Sequence, residues 1–454
     1  MFESINPYTQ KILGQWPEMS MSDAQMALNW AHQEFDIWHR IPLHRRLEKI
    51  SRLGEELLRS KDELSLLMTD EMGKPLSQAR DEVEKSAWAC KVFSEQGASW
   101  LLDEPLVSDD QKSYITYRPL GVILAIMPWN FPIWQVVRCA LPALAAGNTV
   151  LFKPSANVSL SAFFLYDLML RAGFPPRALQ VVRLDHKTCE DLLKDTRVRG
   201  LSFTGSTTAG KHLASIAGAY LKKSVLELGG SDPYLILGDA PLELAVEKCL
   251  ASRLQNNGQS CIAAKRLIVE KPLVSPFIEL LTEKLGKYLI GNPREETIQI
   301  GPLARLDLLA ALTRQVDESL KMGAHLVYQG SLPSSSAWFY PPTVLRQVVP
   351  GMPVADEETF GPVFAVIEVN SEVEAIELAN QSVYGLGAAV FTADKRRGEF
   401  VASQLLEVGS VAVNDFVRSD PRSPFGGQKD SGLGRELGKA GMLEFTNSKT
   451  VMIG

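Results

Sequence analysis

The stretch from 121 to 228 most narrows what this chain can fold into. Strand-length apolar runs near 121–127, 149–153, 178–184, 200–204 and 224–228 alternate with helical patterns that start near 131, 159, 188 and 207. A run that is apolar throughout, such as GVILAIM at 121–127, belongs to a strand buried on both faces. Strand–helix–strand crossovers are right-handed, so the segment predicts a doubly wound parallel sheet with helices above and below. Ligands of such sheets lie beyond the carboxyl ends of the strands. The polar residues at those ends are Asn130, Lys153, Gly205 with Ser206, and Glu227. Four strands thus deliver polar groups to one edge.

The same α/β grammar returns from about 231 to 421, punctuated by Gly301-Pro302 and Pro341-Pro342. With 454 residues, 45% hydrophobic and 22% charged, the chain has material for two or three domains. Before the sheet, Ser22 is expected to cap a helix with Ala24, Ala27, Leu28, Ala31, Phe35 and Trp38 on one face. Ser60 with Glu63 forms a capping-box pattern, and Gly73 with Pro75 closes the helix that follows. The charged, periodic stretch from about 76 to 100 reads as scaffold helix without chemistry. SYITYR at 113–118 alternates like a strand exposed on one side, and FTNSKTVMI near the end reads as another strand. Such an extension suits a subunit contact.

Charge and cysteine usage exclude several classes. The net charge is −6 without a basic block, so neither nucleic acid nor an anionic membrane surface is expected as a partner. The uncharged span 119–137 has bilayer length, but Pro128 and Pro132 would break a spanning helix. MFESINPYTQ lacks the layout of a secretory signal. The five cysteines, at 90, 139, 189, 249 and 261, are odd in number and show no CxxC spacing. That pattern argues for reduced cytoplasm and against a disulfide framework or a metal site.

Cys261 stands out in NNGQSC, 256–261. Gly258 allows backbone angles closed to other residues, so the Cys261 amide and sulfur can face one reacting atom together. An isolated cysteine is commonly a small buried hydrophobe, and the stretch alone leaves both readings open. The convergence of polar strand ends favours the nucleophile. GSTTAGK, 205–211, matches most of a P-loop, but His212 stands where a magnesium-holding Ser or Thr is required. What remains is a Gly-Ser turn into a helix N-terminus, suited to a phosphate. EETFGPV, 357–363, reads as a solvated turn packed by Phe360. A thiol hydrolase pairing Cys261 with a histidine is the rival enzyme class, yet all six histidines lie outside these motifs, His186 and His212 nearest.

Taken together, PWNFP at 128–132, FTGST at 203–207, LELGG at 226–230, GQSC at 258–261, ETFGPV at 358–363 and PFGGQKDSGLGRE at 424–436 resemble the aldehyde dehydrogenase superfamily along essentially the whole chain. GGSDP at 229–233, NNGQSCIAAKR at 256–266 and SDPR at 419–422 look like its bacterial succinate-semialdehyde branch, and many family members carry Lys where Ser231 stands. The resemblance implies a cofactor domain over 1–106 and 120–229, a catalytic domain over 230–432, and an oligomerisation element over 107–119 and 433–454 in a homodimer or dimer of dimers. It implies Cys261 as nucleophile, Glu227 as general base and Asn130 as oxyanion donor. Trp129, Lys153, Ala156, Gly205, Ser206, Glu358 and Phe360 would meet a nicotinamide dinucleotide. Relatives that favour NAD often carry Glu at the position of Ala156, so NADP is expected over NAD. Trp134, Arg138 and Ser419 would hold a small aldehyde with a distal carboxylate, succinate semialdehyde, and Glu227 favours hydrolysis to the acid over transfer to coenzyme A.

Overall fold

The computed structural model describes residues 1–107 and 112–454. Six strands form the first sheet in the order Gly432–Leu433, Lys223–Glu227, Val198–Thr204, Val122–Ile126, Thr149–Lys153 and Leu179–Val181. All are parallel except Gly432–Leu433, which runs antiparallel to Lys223–Glu227. The expected doubly wound α/β sheet is therefore present. After Leu179–Val181 the chain crosses to the far side of Val122–Ile126, so successive connections leave this central strand in opposite directions. The crevice that results lies beside Val122–Ile126 and Val198–Thr204, the switch point where such sheets bind ligands. Register lines up the strand ends there: Ile126 pairs with Lys153 and Phe203, and Thr204 with Glu227.

A seven-stranded sheet follows, ordered His325–Gln329, Thr343–Arg346, Val363–Val369, Arg266–Glu270, Pro233–Ile236, Gly387–Phe391 and Ser410–Val413. Only the His325–Gln329 pairing is antiparallel. The third sheet joins Glu104–Leu106, Lys112–Pro119 and Thr446–Ile453, with the last strand in register from Thr446 opposite Pro119 to Ile453 opposite Lys112. The terminal strand thus pairs with its own chain. The turn of the hairpin expected over 107–119 lies outside the described residues. Among the described residues no helix is long and apolar enough to cross a membrane. The uncharged span 119–137 divides into strand Val122–Ile126, a turn and the start of helix Trp134–Ala146.

Several local expectations change. Helix Met21–Trp38 is capped by Ser20 rather than Ser22, because Ser20 and Asp23 form the reciprocal box three residues apart. Ser60 forms no box: its N–H donates to the Glu56 carbonyl (3.0 Å) and ends helix Leu43–Arg59, which fixes its backbone away from the extended angles an N-cap needs. The strand expected over 178–184 covers only Leu179–Val181. Beyond it the Arg183 carbonyl accepts from Met19 N–H (2.8 Å) and the Arg183 guanidinium donates to the Pro17 carbonyl (3.0 Å), so the chain leaves the sheet for the N-terminal segment.

Helix Leu76–Trp100 does more than fill space. Glu82 on it is buried and ion-paired with buried Lys74. Its other oxygen accepts from the free N–H groups of Ile133 (2.9 Å) and Trp134 (3.0 Å), which open helix Trp134–Ala146. One carboxylate thus neutralises a buried cation and caps the helix that follows Asn130. Glu82→Ala strands Lys74 and two amides, and is expected to cost about 3–5 kcal/mol. Glu82→Gln keeps an acceptor for the amides and should fall between it and the wild type when thermal unfolding midpoints are compared.

Candidate active site

Two cavities meet at one sulfur. The first, about 410 Å³, is lined among others by Lys74, Lys85, Trp134, Arg138, Cys261 and Ser419. The second, about 450 Å³, is lined by Trp129, Asn130, Lys153, Gly205, Ser206, Cys261, Glu358 and Phe360. Cys261 and Gln135 belong to both walls. The three expected substrate contacts, Trp134, Arg138 and Ser419, therefore share the first cavity, and six of the seven expected cofactor contacts share the second. Ala156 lines neither; it opens a short turn just past Lys153. Glu227 also lies outside both walls, buried beside Arg138.

The backbone leading to Cys261 takes an unusual path. Asn256, Asn257 and Gly258 all have left-handed φ, at 56°, 58° and 80°. Asparagine tolerates this region better than most residues. At Gly258 a Cβ would lie 2.3 Å from the Gly361 carbonyl, and the Gly361 N–H donates to the Gly258 carbonyl at 3.1 Å, so the position needs glycine twice over. Amide side chains hold the turn. Asn256 Nδ2 donates to the Asn130 carbonyl (2.7 Å) and the Gln259 carbonyl (3.1 Å), while Asn257 Nδ2 donates to the Gly73 and Pro302 carbonyls (3.0 and 2.9 Å). Asn130 Nδ2 donates one hydrogen to the Gln259 carbonyl at 3.1 Å, which aims the amide toward the cysteine loop and leaves its second hydrogen.

Burial sets the titration of the site. It pushes the Cys261 thiol up to about 12, against the pull of Arg138 and Lys265. Burial also raises Glu227 well above the usual carboxylate range, with Arg138 opposing. Burial raises Glu436 as well, again with Arg138 opposing. Arg138, 2% exposed, lies 2.5 Å from Glu436 and 3.9 Å from Glu227, so one guanidinium serves two buried carboxyls. Among the described residues no hydrogen bond reaches either Glu227 oxygen. Lys265, fully buried, donates to the Ser260 and Cys261 carbonyls (2.9 and 2.6 Å) and fixes the loop from behind.

The second cavity fits a dinucleotide. Trp129 and Phe360 face each other edge to face, with ring centroids 6.1 Å apart, and form apolar walls for flat rings. Ser206 caps helix Thr207–Ala219, whose free amides and dipole favour a phosphate. Lys153 is in no ion pair among the described residues and its charge is free for an anion. Glu358 accepts from Gly230 N–H at 2.8 Å and lies 3.7 Å from Lys265; buried Arg253 donates to Thr359 and to the Val363 carbonyl. EETFGPV is therefore a held wall of the cavity rather than the solvated turn its local composition suggests, and it brings the expected Glu358 and Phe360 there. Sequence reasoning missed Ser155, Gln135, Arg305 and His186 on this wall and Lys85 on the other. Ser155 stands in KPSA beside the expected residues; the others carry no local signal.

Among the described residues all five cysteines are free; Cys261 is half-buried and the other four are buried. With its thiol held near 12, alkylation of the cofactor-free protein by iodoacetamide should keep accelerating from pH 7 to 10 as thiolate forms. An ordinary thiol levels off above about 9. Peptide mass spectrometry across that range reads the curve at Cys261, and a plateau by pH 8 contradicts the burial argument.

Comparison with known proteins agrees with this architecture. Residues 1–451 match the sequence model of the aldehyde dehydrogenase family. The chain is 43% identical over 448 residues to the succinate semialdehyde dehydrogenase [NAD(P)+] of Escherichia coli (strain K12), covering 99% of this chain and 97% of the relative. It is 41% identical over 450 residues to the probable succinate-semialdehyde dehydrogenase [NADP(+)] of Synechocystis sp., covering 99% of each. The crystal structure of succinic semialdehyde dehydrogenase from Streptococcus pyogenes in complex with NADP+ superposes with a TM-score of 0.97 at 33% identity, covering 100% of both chains. With its motifs, its sheets and its two cavities joined at Cys261, the chain belongs to the aldehyde dehydrogenase family.

Proposed function

We propose that the protein oxidises succinate semialdehyde to succinate, with NADP as the favoured hydride acceptor and NAD as the alternative. The observation that carries this reading is the meeting of two cavities at Cys261, one lined by Lys85, Trp134, Arg138 and Ser419, the other suited to a dinucleotide. The relatives named above for succinate semialdehyde support the substrate. The Cys261 thiol gives up its proton to solvent and the thiolate Sγ attacks the aldehyde carbon; the oxygen that becomes an alkoxide takes hydrogen bonds from Asn130 Nδ2 and the Cys261 N–H. When bound, the nicotinamide supplies the acceptor for the hydride. The thioester left on Cys261 is hydrolysed by water that gives its proton to Glu227. Among the described residues no hydrogen bond joins a histidine to Cys261: His212 is an exposed partner of Glu190, and His186 lines the dinucleotide cavity without such a bond, which weighs against a thiol hydrolase.

The two outer strands of the third sheet suit assembly into a homodimer or dimer of dimers, since Leu106 on one and Met452 and Ile453 on the other are exposed. A cytoplasmic setting suits a chain with five free thiols among its described residues.

Cys261→Ala is expected to abolish turnover while the variant still binds NADP, as read by fluorescence quenching. Glu227→Gln should instead let acyl-enzyme accumulate, detectable by mass spectrometry. Because burial raises Glu227, its base form grows as pH climbs, so wild-type deacylation should quicken with pH and the Gln variant should lose that limb.

Cofactor choice tests a second position. No carboxylate occupies position 156, and Lys153 with Ser155 lines the cavity next to it. A carboxylate about 4 Å from a 2′-phosphate charge opposes it by roughly 4 kcal/mol before salt screening. Ala156→Glu should therefore shift the NADP to NAD ratio of kcat/KM toward NAD by at least about tenfold. A ratio that stays the same, or a wild type that uses NAD alone, contradicts this assignment.

A further inference from the structure

The cavity on the substrate side holds three cations within reach of a ligand: Lys74, Lys85 and Arg138. Two are committed. Lys74 is ion-paired with Glu82 inside the protein, and Arg138 sits between Glu436 and Glu227. Turning Arg138 fully toward a ligand would leave two buried carboxyls without their cation, a change of several kcal/mol in such surroundings. Lys85 differs. Its Nζ donates to Ser419 Oγ at 2.8 Å and stands 4.3 Å from the centre of the Trp134 ring. Among the described residues it enters no ion pair.

Resting on the substrate reading above, we infer that Lys85 is the specificity residue that receives the distal carboxylate of the aldehyde, with Ser419 Oγ as second donor and Trp134 as floor. The charges that face Lys85 are few. Asp81 lines the same cavity one helical turn earlier, Glu82 is held by Lys74, and Asp420 is bonded to Arg422 at 2.6 Å. Arg138 adds a second positive charge. Burial, then Arg138, draws the Lys85 ammonium down to about 8, the behaviour of a cation short of negative partners. An incoming carboxylate supplies that partner and hydrogen-bonds the ammonium and the hydroxyl together, whereas an uncharged aldehyde leaves both as they are. The same cavity reaches Cys261, so a short dicarboxylate-like chain held at Lys85 directs its aldehyde to the sulfur.

The test compares kcat and KM for succinate semialdehyde and for butanal, which has the same carbon count without the carboxylate. Variants are Lys85→Met, Lys85→Gln, which keeps a donor for Ser419 without charge, and Lys85→Arg. Loss of one charge-assisted contact is worth about 10- to 100-fold in affinity. Lys85→Met and Lys85→Gln should therefore raise KM for succinate semialdehyde by about that factor, mostly sparing kcat, and should lose at least about tenfold more on it than on butanal. Lys85→Arg should recover most of the difference. Equal losses on both aldehydes, or a wild-type preference for succinate semialdehyde that survives Lys85→Met, overturns the role of Lys85 while leaving the substrate reading intact. A wild type that does not prefer succinate semialdehyde to butanal overturns the substrate reading, and the inference with it.

Discussion

The site depends on three consecutive left-handed residues, Asn256 to Gly258. That path costs free energy at each step unless neighbours hold it, and here every neighbour is a different part of the chain. Asn256 N–H donates to the Gln78 side chain (2.5 Å) on helix Leu76–Trp100, and Asn256 Nδ2 reaches the loop after Val122–Ile126. Asn257 ties the end of helix Lys61–Met72, at Gly73, to Pro302, and accepts from Gly301 N–H at 2.8 Å. Gly258 packs against Gly361. The turn is thus a knot among the first sheet, the N-terminal helices and the second sheet. Because Asn130 hangs from the same hydrogen bonds, the donor amide and the sulfur are positioned by one structure rather than by two that must be aligned.

Behind that knot lies a dry cluster of charge. Arg138, Glu227 and Glu436 are buried together, and Phe425 packs its ring against the guanidinium, 5.2 Å from its centre. Glu436 arrives on the segment 424–436, which adds Gly432–Leu433 to the first sheet directly beside Glu227, with Gly432 opposite Glu227. Gly426 makes this approach possible: its φ is 157°, and a Cβ there would meet Glu227 Oε1 at 2.8 Å. The glycine-rich segment 424–436 is therefore the cover over Glu227. Removing either carboxyl changes how far Arg138 compensates the other, so the three cannot be weighed singly.

Much of this was legible. Unbroken apolar runs of strand length fixed the parallel sheet, and polar strand ends marked its working edge; Lys153, Gly205, Ser206 and Glu227 all fall there. Left-handed geometry was half visible, because glycine at 258 was read for its freedom while the two asparagines before it were not. The charged helix 76–100 was the larger omission, read as scaffold. Helical periodicity says which side chains share a face, but it does not say what that face meets. Lys85 meets Ser419 across 334 positions and Gln78 meets Asn256 across 178, separations that leave no local trace. Ser20 against Ser22 is a smaller case: both are competent caps, and only the matching Asp23 decides.

Cys261 and Glu227 are coupled through their protons, and this orders the chemistry. A charged Glu227 raises the Cys261 thiol further, while Arg138 lowers both groups. Burial that shifts Glu227 toward its neutral form therefore weakens one opponent of the thiolate. Once the sulfur is acylated it carries no charge, the opposition between the two groups ends, and Arg138 is left to favour the ionised carboxylate that hydrolysis requires. In the mechanism proposed above, a more exposed Glu227 would be ionised more of the time and would oppose the Cys261 thiolate in the first step. Keeping it out of both cavity walls, against Arg138 and beneath Gly426, suits a group needed only in the second.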